Sequence, residues 1–178
     1  MGRSRLKPSL LILNLLLAPN ICAAPPPKAA PEPEVKAAFL LNFTKFIEWP
    51  QGDVSASAPF PICILGDDPF GPVLDQILQG ETVNGHPVIA QRLNGVSSKS
   101  CRIVYVDRDD KIGKETLDAF GPGVLTVGEG ESFTREGGMI AFVLENRRVR
   151  FNINLSATRK AGLTLSSRLL SVARLVEK

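Results

Sequence analysis

Histidine is nearly missing from this chain: among 178 residues only His86 is one, and it lies in a turn just before Pro87. A Ser-His-acid triad is therefore hard to assemble, and a lone turn histidine reads as a surface residue, not as a catalyst or metal ligand. The other usual carriers of chemistry are missing too. There is no HExxH, no Gly-x-Ser-x-Gly elbow, no Walker phosphate loop and no paired Cys-x-x-Cys, and Gly128 and Gly130 do not make a dinucleotide fingerprint. No cofactor or metal is expected. Long hydrophobic runs are absent as well. The longest, Leu10 to Ala18, is interrupted by Asn14 and covers about nine residues, far short of the roughly 20 that cross a bilayer as a helix.

That run follows Arg3, Arg5 and Lys7 and precedes Cys22, Ala23 and Ala24, which is the three-part layout of a secretory signal peptide over residues 1–24. Export to the periplasm is expected, with a soluble chain after cleavage. Pro19, Asn20 and Ile21 do not give the Leu-small-small approach to Cys22 that a lipoprotein signal shows. Losing the signal removes three basic residues and leaves 18 basic against 18 acidic, so the basic footprint of a nucleic-acid binder is missing. Residues 25–33 form a Pro/Ala-rich leader, and residues 34–178 are enough for one domain with a real core.

The domain opens with a helical pattern from Glu34, where Val35, Ala38, Phe39, Phe43, Phe46 and Ile47 recur at three- and four-residue steps until Pro50. An aromatic stripe of this spacing reads as core packing. Phe60 to Leu65 reads as a strand apolar on both faces, followed by a turn and a short helix through Val73, Leu74, Ile77 and Leu78. Further strands are expected at Pro87 to Leu93, Arg102 to Val106 and Val124 to Val127, with a weak helix around Leu117. Ser156 is expected to cap a helical turn. Ser166 or Ser167 caps a last helix whose buried stripe is Leu169, Leu170, Val172, Ala173 and Val176. The expected fold is a single compact α/β domain: a mixed, mostly parallel sheet with a C-terminal β-hairpin, flanked by helices.

The hairpin is the clearest feature. Met139 to Leu144 is apolar on both faces. In the second arm Val149, Phe151, Ile153 and Leu155 alternate with Arg148, Arg150, Asn152 and Asn154. The polar set is either a solvated strand face or a surface that meets a partner. Asp67, Asp68, Asp107 and Glu129 follow strands, where open α/β sheets form their ligand crevice; Asp67 and Asp68 can equally just shape an Asp-Pro turn. Cys63 and Cys101 are the two cysteines of the mature chain. An oxidising compartment favours a bond between them, with two separate buried thiols as the alternative.

Several motifs in fixed order, KAAFLLNFTKFIEWP, ICILGDDPFG, VNGHPV, VLTVGEG, GGMIAFVLENRRVRFNIN and AGLTLSSRLLSVARLV, resemble the YfiR family of bacterial periplasmic proteins, over nearly all of the mature chain. The resemblance implies a non-enzymatic repressor that binds an inner-membrane diguanylate cyclase and lowers cyclic di-GMP and biofilm formation. It implies a disulfide between Cys63 and Cys101, while the second cysteine pair known around the hairpin is missing from Phe142 to Leu155. A sensor kinase in place of the cyclase, an outer-membrane lipoprotein that sequesters the domain, and a homodimer are further partners it allows. Two rival readings come from the residues: a small-molecule binding protein presenting its ligand to a sensor, and a hydrolase using the crevice carboxylates.

Overall fold

The computed structural model describes residues 30–50, 58–95, 101–107 and 112–178; the expected signal peptide lies outside them. The chain opens with α1 (Glu32–Phe46), which runs into β1 (Ile47–Glu48). Then come β2 (Phe60–Leu65), α2 (Pro72–Leu78), β3 (Thr82–Val83), β4 (His86–Leu93), β5 (Ile103–Val106), α3 (Lys114–Ala119), β6 (Leu125–Glu129) and α4 (Glu131–Arg135). The hairpin of β7 (Ile140–Glu145) and β8 (Arg148–Asn154) leads to α5 (Leu155–Lys160), β9 (Thr164–Leu165), α6 (Ser167–Val172) and β10 (Leu175–Glu177).

Eight strands form one sheet in the order β3-β4-β2-β5-β6-β7-β8-β10. The five from β4 to β7 are mutually parallel, β8 is antiparallel to β7, and β10 returns parallel to β8. Along the parallel part, chain order reverses between β2 and β5, the switch point beside which open α/β sheets form a crevice. The mostly parallel α/β sheet with its hairpin is the architecture expected.

Alternation along the strands feeds two cores. In β2, Ile62 and Ile64 join the core under α1 and α2, while Cys63 and Leu65 join a second core with Leu117 of α3 and Phe133 of α4. On the first face α1 lays Phe39 and Phe43 against the hairpin, with ring centroids 5.3 and 5.4 Å from Phe151. On the second, Cys63 and Cys101 form a disulfide across a Cα separation of 5.8 Å. Closing a loop of this length constrains the unfolded chain by about 4 kcal/mol in the chain-entropy account. Phe133 lies so close over β6 and β7 that a Cβ would approach its ring to 2.5 Å at Gly128 and 2.1 Å at Gly138, so the backbone there must be bare.

Several expectations are corrected. The helix begins at Glu32, inside the expected leader, with Pro33 in its first turn and Glu32 and Glu34 at its positive end. Its most buried residues include Ala37, Leu40 and Leu41 as well as Phe43, whereas Val35, Ala38, Phe39 and Phe46 are half-buried. The helix packs on the sheet and on α2 and α6 together, which widens the buried arc beyond one stripe. Ile47 leaves the helix to pair with Leu165. The last helix stops at Val172, and Val176 lies in β10 opposite Ile153. The backbone N–H of Arg174 donates to the Phe151 carbonyl at 2.8 Å, so pairing the open edge of β8 wins over another helical turn. Ser166 caps α6 as expected, but α5 is capped by Asn154, whose Oδ1 accepts from the Ala157 amide, while Ser156 donates its hydroxyl to the same oxygen.

Candidate functional site

Asp67, Asp68, Asp107 and Glu129 all lie at the carboxyl ends of β2, β5 and β6, beside the switch point. Asp67 is exposed. Asp68 is committed to its turn: it accepts from the amides of Phe70 (2.8 Å) and Gly71 (3.2 Å) and from Arg92 Nε (2.9 Å). Arg92 also grips Asp75 through two nitrogens at 2.8 and 2.7 Å and the Gly71 carbonyl at 2.8 Å, strapping β4 to the start of α2. The hydrogen bond from Arg92 holds the Asp75 carboxyl below its ordinary range. A depressed carboxylate stabilises the fold at neutral pH and loses that contribution as pH falls through its folded-state range, so the strap weakens in acid.

Glu129 is engaged from two sides. Lys36 Nζ of α1 lies 2.6 Å from Glu129 Oε1 and also pairs with Glu32, and the hydroxyl of the fully buried Tyr105 donates to the same Glu129 oxygen. Lys36 is 6% exposed, so the pair has little water to share its charge with. The Tyr105 ring is fixed by Phe70 at 4.8 Å, edge to face. The amino-terminal half of α1 is thereby pinned across the crevice. Among the described residues no group of three or more His, Cys, Asp and Glu could hold a metal ion. His86 starts β4, with Nδ1 2.7 Å from the Ala58 carbonyl.

At the hairpin tip Asn146 and Arg147 take φ of 50° and 61°, the two-residue turn whose twist matches the flanking strands. Arg148 pairs across from Glu145 and Arg150 from Val143, and both arginines are exposed, while Leu144, 55% exposed, pairs with Val149 on the opposite face of the hairpin. Asn152 and Asn154 do not join them in water, which corrects the expected wet face. Asn152 is 1% exposed and accepts from Arg174 Nη1 at 3.2 Å; Asn154 donates to the Thr134 carbonyl at 2.9 Å and caps α5. Arg174 in turn pairs with Glu131 and Glu145 and so bridges α4 and the hairpin tip. The amides are thus structural, and the available polar face shrinks to Arg148 and Arg150.

The functional weight of this geometry depends on what the chain is related to. A family model described as YfiR/HmsC-like matches residues 33–174. The chain belongs to the YfiR/HmsC-like family. That is a family of periplasmic regulatory proteins associated with cyclic di-GMP signalling. A crystal structure of a conserved domain protein from Vibrio cholerae O1 biovar El Tor is similar in fold, with a TM-score of 0.50, 10% identity, and coverage of 82% of this chain and 60% of that one. This chain thus spans about three fifths of that chain's length. None of the curated proteins matches the chain. Among the described residues of this YfiR/HmsC-like protein, no helix is long and apolar enough to cross a membrane.

The residues that the sequence reading missed are the basic partners Lys36, Arg92 and Arg174. Only Lys36 left a signal: it stands four and seven residues before Leu40 and Phe43, on the helix face those two bury.

Proposed function

We propose that this protein is a periplasmic repressor that binds the periplasmic part of an inner-membrane diguanylate cyclase, lowering cyclic di-GMP and biofilm formation, and that Arg148 and Arg150 meet acidic groups on that partner. The family match over residues 33–174 carries the role; the exposed hairpin tip, with Arg148 and Arg150 two residues apart on one face of β8, supports the contact surface. Repression needs no catalytic group. A domain that prefers the inactive form of its partner lowers activity through that difference in affinity alone. The reading in which the switch-point crevice presents a ligand has less support, because Asp68 and Glu129 are already engaged by Arg92 and Lys36.

A pull-down from membranes with the protein as bait is expected to recover a diguanylate cyclase, and Arg148→Glu with Arg150→Glu is expected to weaken that capture by about tenfold or more through like-charge repulsion. Both side chains are exposed, so the variant keeps its melting temperature. Recovery of a sensor kinase alone would overturn the choice of partner, and undiminished capture by the folded variant would overturn the choice of surface.

A further inference from the structure

A cavity of ≈ 600 Å³ opens between α3 and α5, at the amino-terminal edge of β6 and β7. It lies at the end of the parallel strands opposite to Asp67, Asp107 and Glu129, and it is separate from the hairpin tip. Leu117, Pro122, Met139, Ala157 and Ala161 give it an apolar wall with no aromatic ring. Thr126, 1% exposed, is occupied in closing the floor, its hydroxyl accepting from the Met139 amide at 3.2 Å. Asn154 and Ser156 also line it, but the Asn154 amide is hydrogen-bonded to the Thr134 carbonyl and the Ala157 amide, and the Ser156 hydroxyl to Asn154, so the remaining wall is aliphatic.

The charged groups of the cavity are Lys114, Lys160 and Asp118. Lys114 hydrogen-bonds Asp118, four residues further along α3. Lys160, at the end of α5, stays 3.7 Å from the same carboxylate, too far for a hydrogen bond, so its donors are open to a second anion. Two ammonium groups against one carboxylate leave one positive charge at the mouth of an aliphatic chamber. A chamber of this volume suits a small guest.

We infer that this cavity binds a small amphipathic monoanion, an aliphatic carboxylate of medium chain length, with its tail against Leu117 and Met139 and its carboxylate at Lys160. The site stands independently of the regulatory role proposed above. Asn154, which lines the cavity, is the last residue of β8, so a guest here adjoins the end of the strand that carries Arg148 and Arg150 at its other end.

The test is a methyl NMR titration of the full protein with octanoate and decanoate below their micelle concentrations, with decanol and decyltrimethylammonium as uncharged and cationic counterparts. Saturable shifts are expected at Leu117, Met139 and Ala157. Decanoate should bind about fifteenfold tighter than octanoate, since each of its two extra methylenes is worth about fourfold when buried. Lys114→Gln with Lys160→Gln, both at exposed positions, should bind decanoate about tenfold more weakly, because the pairing at Lys160 is lost and Asp118, left without a counter-ion, repels the guest carboxylate. No saturable shift at these methyls with decanoate would overturn the inference. So would equal binding of the cation or the alcohol, or unchanged decanoate affinity in the folded lysine variant.

Discussion

Lys36 separates two accounts of the crevice. If Glu129 were a ligand-binding carboxylate, the lysine would be incidental; in the structure it is the buried counter-charge that faces Glu129 and anchors α1 to β6. Removing Glu129 leaves Lys36, in a poorly hydrated place, with only the half-exposed Glu32 as counter-charge. Glu129→Gln is therefore expected to lower unfolding free energy in urea by about 3 kcal/mol, while Lys36→Met together with Glu129→Gln recovers most of that loss. A neutral Glu129→Gln would show that the pair is solvated and that Glu129 is free for another role. At this scale the sequence misleads in a consistent way. Asn152 and Asn154 alternate with Phe151 and Ile153 as solvent-facing residues would, yet Arg174, more than 20 positions later, covers one and the α5 turn uses the other. A period-2 pattern records which face a side chain takes, not what later chain is laid over it.

The hairpin is the element that the sequence shows best, because both arms carry strand periodicity and the turn between them is short. Its turn is also where local strain is visible. Arg147 holds φ at 61°, a region that costs an ordinary residue about 1 kcal/mol. Arg147→Gly is expected to raise stability by about 0.5–1 kcal/mol, read as a higher urea midpoint with unchanged slope; a lower midpoint would mean that the Arg147 side chain makes a contact worth more than the strain. The C-terminal segment shows the opposite case. Leu169, Leu170, Val172, Ala173 and Val176 fit a helical stripe, but the chain extends after Val172 because the outer edge of β8 offers backbone partners from Asn152 to Asn154. Local pattern cannot register an open edge made elsewhere in the fold.

Across the whole molecule, the central strands β2, β5, β6 and β7 were legible because each is a short, largely apolar run ended by a turn, whereas β4 is a mostly exposed strand next to the edge. The order of the sheet was not, since pairing between β2, β4 and β5 depends on crossovers and not on any one segment. The division into two cores likewise needs both faces of every strand at once. Family membership over residues 33–174 connects this architecture to cyclic di-GMP signalling, and the proposed repression places its partner contact at the exposed Arg148 and Arg150. The most direct test is cyclic di-GMP measured by mass spectrometry in cells with the gene deleted and in the same cells complemented by wild type or by the Arg148→Glu, Arg150→Glu variant. The level is expected to rise on deletion, to return with wild type and to stay high with a folded variant. An unchanged level on deletion, in cells shown to make the protein, would contradict the account.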